Sequence, residues 1–188
     1  PPGTPSLVLL GTALDRLLPT TLSRCQVVQF DAWPAEFVRE RLSALRPGLS
    51  SGQASWYARA AAGSLGGAMA MADDDLFSLN ERITSQLSSL PRTRAELPKT
   101  WNEEAKALGQ RYRKTDPEIT ETEATRRGLC TLFLLASNHY ADQLRRDPSG
   151  AAESIARKIN RLSLAAQQLS LNANVQLCVD ALVNDLAA

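Results

Sequence analysis

The chain is poor in the residues on which most catalysis, metal binding and extracellular stability depend. It has one histidine and three cysteines in 188 residues, and aromatics make up 5%. Cys25, Cys130 and Cys178 are odd in number and far apart, with no C-x-x-C pair, which excludes a zinc signature and a disulfide framework. They read as reduced, mostly buried thiols of a cytosolic protein. His139 has no cysteine or aspartate at useful ligand spacing and reads as structural or as a surface group. Few aromatics beside abundant Ala and Leu favour helices over a β-sandwich. No apolar run approaches the roughly 20 residues that cross a bilayer. The start, Pro1-Pro2-Gly3-Thr4-Pro5, has neither the basic flank nor the cleavage site of a secretory signal, so a cytoplasmic location is expected. It also lacks an initiator Met, which reads as a chain beginning within a longer protein. Charge of one sign is lacking too. Lys and Arg total 21 against 20 Asp and Glu, a net charge of +1, which gives no bulk electrostatic case for nucleic acid or a membrane surface. There is no G-x-x-x-x-G-K-[ST] phosphate loop, G-x-S-x-G, H-E-x-x-H or EF-hand loop. No self-contained active site and no metal ligand set is expected.

What is present is mostly helical. Ser6-Leu7-Val8-Leu9-Leu10-Gly11 is a short apolar run closed by Gly and predicts a buried strand; Gln26 to Phe30 predicts a second. Between them, Asp15 to Arg24 predicts two helical turns, with Pro19 at a tolerated first position. From Asp31 the pattern turns helical. Asp31 is placed to cap a helix carrying Phe37, Val38, Leu42 and Leu45, stopped by Pro47-Gly48. Trp56 to Ala62 is a second helix ended by Gly63, and Ser64 caps a third, Leu65 to Ala72. Apolar residues at 76, 79, 83, 87 and 90 carry helical spacing. Pro91 to Pro98 is expected to be a loop, Trp101 to Arg113 a helix, and Glu121 to Arg146 a long helix with a broad apolar face. Asp147-Pro148-Ser149-Gly150 is a turn. Ala151 to Leu171 and Val175 to Leu186 are the last helices. The pairs Arg126-Arg127 and Arg145-Arg146, with Arg111, Arg113 and Lys114, read as solvated helix faces. Without interleaved aromatics they make no stacking platform for bases.

Arg24 has two readings. In one it caps a helix C-terminus, where the dipole favours a cation, or pairs with a nearby acid. In the other it is an arginine finger, which stabilises charge on a transferring phosphoryl group and is often supplied in trans. Leu7-Val8-Leu9-Leu10-Gly11-Thr12 followed by Leu17-Leu18-Pro19-Thr20-Thr21-Leu22-Ser23-Arg24-Cys25-Gln26 resembles the end of the AAA+ ATPase domain of bacterial DNA polymerase III clamp-loader subunits. In that family the Ser-Arg-Cys motif supplies the finger to a neighbouring subunit. The resemblance implies that Arg24 is the finger within the motif Ser23-Arg24-Cys25, and that Thr12 lies at or near the first sensor. Gly63-Ser64-Leu65-Gly66-Gly67 resembles the start of the family's second sensor segment, but glycines stand where ATP-hydrolysing subunits carry an arginine. The C-terminal helical half resembles the family's collar, and Asn172-Ala173-Asn174 with the helix after it resembles the collar's last turn.

Together these imply a mainly α chain: an α/β remnant of an ATPase domain over 1–30, a three-helix lid over 31–75 and a helical collar bundle over 76–188. They imply a non-hydrolysing stator of the delta-prime type. Its partners would be gamma/tau and delta subunits, with the sliding clamp and primed DNA reached through the assembly. No cofactor is expected on this chain; ATP and Mg would sit on the neighbour. A gamma/tau-type ATPase and an unrelated helical interaction module are the competing readings.

Overall fold

The computed structural model describes residues 7–11, 14–146 and 151–187. The turn read at 147–150 therefore lies outside the described residues. The chain divides into two compact units, Pro1–Ala32 and Trp33–Ala188.

In the first unit a 3-10 turn, Leu14–Arg16, precedes a single turn of helix, α1 (Pro19–Leu22). Pro19 opens α1, where its missing N–H leaves no bond unmade and its fixed φ suits the helix. The two predicted strands do not form. Residues 7–11 and 26–30 pair with nothing among the described residues. Leu10 and Phe30 are 95% and 89% exposed. A strand exists through its ladder, and β-branched, apolar composition alone does not supply one.

The second unit is helical: α2 (Ala35–Leu45), α3 (Ser51–Ala60), α4 (Leu65–Asp73), α5 (Leu76–Ser88), α6 (Leu90–Thr93), α7 (Leu97–Thr115), α8 (Glu121–Arg146), α9 (Ala152–Ser170) and α10 (Val175–Ala187). Asp31 does not cap α2. The helix starts four residues later, after Pro34, whose extended backbone leaves the first turn without a side-chain cap. Ser50 and Gln53 form a reciprocal capping box on α3. Ser64 Oγ accepts from Gly67 N at 3.0 Å, the cap expected for α4. The loop expected between Pro91 and Pro98 is instead a short helix and the start of a long one. Pro91 and Pro98 each fall in the first turn of their helix, where proline is tolerated.

One buried cluster runs from Val38 on α2 to Leu186 on α10. The stripe Leu76, Leu79, Ile83, Leu87 and Leu90 is buried throughout, as its spacing requires. The α8 helix is the centre of the bundle, packing on α5, α7 and α9, while α10 closes against α7 and α9. Trp101 on α7 is fully buried. Its ring lies 5.9 Å from that of Phe133, and its Nε1 donates to Gln86 Oε1 at 2.9 Å. The indole thus buries its apolar body with its one polar atom satisfied.

Small residues let α7 and α8 meet closely. A Cβ at Gly128 would stand 2.3 Å from the Ala105 carbonyl oxygen, and one at Gly109 would stand 2.9 Å from the Ala124 carbonyl carbon. Ala105 and Gly109 sit one turn apart on α7, as do Ala124 and Gly128 on α8, so each glycine receives the opposite helix's backbone.

Candidate functional site

The site read from the sequence rests on the turn after α1. Leu18 is extended and Pro19 begins the helix; Ser23, still helical at φ −66° and ψ −14°, ends it. Ser23 N donates to Pro19 O at 2.9 Å, Arg24 N to Thr21 O at 3.1 Å and Cys25 N to Leu22 O at 3.2 Å. The Ser23 hydroxyl donates to Thr20 O at 3.2 Å. These bonds satisfy the successive amides of residues 23–25 and fix the backbone from which Arg24 projects before the chain extends at Gln26. Arg24 is exposed and makes no ion pair and no side-chain hydrogen bond among the described residues. A capping arginine would reach the last carbonyls of α1, and the Arg24 guanidinium bonds none of them.

Cys25 is an exposed free thiol, not the buried one expected; Cys130 is half-buried and Cys178 buried. Cys25 belongs to an open turn, whereas the other two sit on helices facing the core. Burial pushes the Cys130 and Cys178 thiols up, away from the reactive thiolate. Thr12 lies outside the described residues.

Gly66 and Gly67 belong to the first turn of α4. A side chain at Gly66 would meet nothing within 4 Å, so this glycine is not there for close helix approach. A Cβ at Gly67 would stand 3.1 Å from Ser64 Oγ, the cap atom of its own helix. Gly63, at φ 87°, takes the left-handed conformation that lets the chain leave α3 for α4.

The other singled-out residues serve packing. His139 is half-buried; its Nε2 lies 2.9 Å from Gln143 Nε2, its ring packs edge-on against Tyr140, and burial pulls its pKa down. Most of the basic residues of α7 and α8 are exposed, as read from the sequence, but three of them also make contacts within the chain. Arg111 donates to the Asp74 carbonyl, Arg127 stacks 4.5 Å over the Tyr112 ring, and Arg126 bonds Asn172 in the turn after α9. Burial raises the Asp74 carboxyl, an effect that Arg111 and Arg127 oppose.

One feature was not legible in the chain. A groove of about 640 Å³ lies where α2 and α3 face α8, lined by Trp56, Arg59, Leu134 and Arg145 among others. Its walls are some eighty residues apart in sequence, so no local motif announces it.

No protein-family model, curated protein or solved structure matches the chain. No helix among the described residues is long and apolar enough to cross a membrane.

Proposed function

We propose that the chain belongs to a delta-prime-like subunit of a bacterial DNA polymerase III clamp loader. In this reading it is a stator that hydrolyses no ATP itself. It presents Arg24 to the γ-phosphate of ATP held by a neighbouring gamma/tau-type subunit. Residues 31–75 act as a lid and 76–188 as the collar that holds the assembly together with gamma/tau and delta. The sliding clamp and primed DNA are engaged through the whole complex.

The observation that carries the reading is Arg24 itself, exposed on a hydrogen-bonded turn and without an ion-pair partner among the described residues. A guanidinium meant for another molecule's phosphate has to be kept free of the chain's own carboxylates, and a fixed backbone reduces the entropy lost when it docks. Gly66 and Gly67 support the stator form over the gamma/tau form, because a glycine has no side chain with which to sense a nucleotide.

The test is the Arg24→Ala variant in a reconstituted complex. The subunit is expected to fold and assemble as before while DNA-stimulated ATP hydrolysis falls. An unchanged rate rules the finger out. A gamma/tau-type activity would instead show as ATP hydrolysis by the purified full-length subunit alone.

A further inference from the structure

The groove between α2, α3 and α8 plays no part in the proposed role of Arg24. Its floor is apolar. Trp56 is held edge-on against Tyr57 and Phe77, with ring centroids 5.2 and 5.7 Å away, so it is a fixed surface. Leu134, on the α8 wall, is 47% exposed, although its neighbours Phe133 and Leu135 are fully buried. The α3 wall ends in Ala60 and Ala62, whose small side chains leave the space open.

Its charged groups are arranged around that floor. Arg59 comes from the α3 wall and makes no ion pair among the described residues. Arg145 comes from the α8 wall. Its partner is Asp142, 2.6 Å away and one turn back on the same helix; the Arg145 side chain is largely exposed and that of Asp142 about half so. A pair of that kind contributes little, and its guanidinium can exchange partners at small cost. Asn138, between Leu134 and Asp142 on the same wall, adds an amide able to bond a peptide backbone.

We propose that this groove docks an acidic segment of a partner protein, with one large apolar side chain seated between Trp56 and Leu134 and carboxylates on either side meeting Arg59 and Arg145. The two cations come from different helices, α3 and α8, and share the groove with Trp56 and Leu134, which matches an extended peptide with an anchor flanked by acids. A nucleic-acid strand fits less well. It carries no aliphatic side chain to cover Leu134 and the alanines Ala35, Ala60 and Ala62, which make up most of the apolar lining.

The probe is a short fluorescein-labelled peptide of aspartate and glutamate around a single leucine, followed by anisotropy with the intact chain. Saturable binding is expected, with a change in tryptophan emission that disappears in Trp56→Phe. The double variant Arg59→Gln with Arg145→Gln should weaken binding at least about tenfold while keeping the wild-type circular dichroism. Leu134→Ser should weaken the leucine peptide and leave a serine-substituted peptide unaffected, which separates the anchor from general charge attraction. The proposal is overturned if the leucine peptide does not bind, if the double variant binds it as tightly as wild type, or if a labelled single-stranded oligonucleotide displaces it and binds more tightly.

Discussion

Replacing Gly128 by alanine adds a single methyl group at the centre of the bundle, and the structure fixes both its sign and its approximate size. The new Cβ would stand 2.3 Å from the Ala105 carbonyl oxygen and 3.0 Å from that residue's carbonyl carbon and Cα. These are backbone atoms of α7, so no rotamer change relieves the clash. The two helices have to move apart by the better part of an ångström. Leu129, Leu132 and Phe133, all fully buried on the same helix, move with it. Overpacking a tight core costs about 1–3 kcal/mol, and spreading the shift along a helix pair puts this site at the upper end. Alanine's better helix propensity offsets about 1 kcal/mol. The net loss is about 2 kcal/mol, a fall in Tm of about 4–8 °C for a domain of this size. Gly66→Ala is the matched control: the same chemical change in a helix, with open space around the new methyl. It should leave Tm unchanged or raise it, by up to about 1 kcal/mol of stability. Thermal unfolding followed by circular dichroism compares the two. If Gly128→Ala melts at or above the wild-type temperature, the close α7–α8 approach is wrong.

Three further expectations follow from buried and capping groups. Trp101→Phe removes the donor that satisfies Gln86 Oε1 and leaves a gap beside Phe133, so urea unfolding should show a loss of about 1–3 kcal/mol. Ser50→Ala breaks the capping box on α3 and should lower stability by about 1 kcal/mol, with a smaller loss in Ser50→Gly. Burial raises all three tyrosines, Tyr57, Tyr112 and Tyr140, and Tyr140 is pushed up to about 12. Above pH of about 10 the unfolded chain releases phenolic protons that the folded chain retains, so it binds fewer protons and stability falls as pH rises towards 12. The alkaline fall in Tm should be shallower in Tyr140→Phe, and an identical fall would contradict the burial of that ring.

The helices were legible because their apolar residues repeat at helical spacing, as the buried series from Leu76 to Leu90 demonstrates. The Ser64 cap was legible because a serine directly precedes an apolar run. The box at Ser50 and Gln53 carried the same kind of signal, S-x-x-Q ahead of a helix, and sequence reasoning passed over it. Prolines at 91 and 98 misled because they break a helix only beyond its first turn, and both sit within it. Asp31 misled for a related reason: Pro34 lies between it and the helix, and the chain enters α2 through that proline. The apolar runs at 7–11 and 26–30 looked like strands, yet pairing is a property of the partner as well as of the run. At the candidate site, the short turn of helix and Pro19 at its start were readable, and so was the placement of Arg24 just past its Ser23 cap. The exposure of Cys25 was not, because a thiol's burial depends on what packs over its turn. The α2–α3–α8 groove was out of reach, since only the fold brings Arg59 and Arg145 to one cleft.

The proposed role of Arg24 is tested most directly by ATP turnover at the neighbouring site alone. A complex would be assembled in which one gamma/tau-type subunit, adjacent to this one, retains an intact phosphate loop. With Arg24→Ala, single-turnover hydrolysis at that site should fall by about tenfold or more, as expected when a finger is withdrawn. Nucleotide affinity and assembly should stay unchanged, and Arg24→Lys should restore little because it lacks the guanidinium fork. Hydrolysis at the wild-type rate in the Arg24→Ala complex would contradict a role in trans.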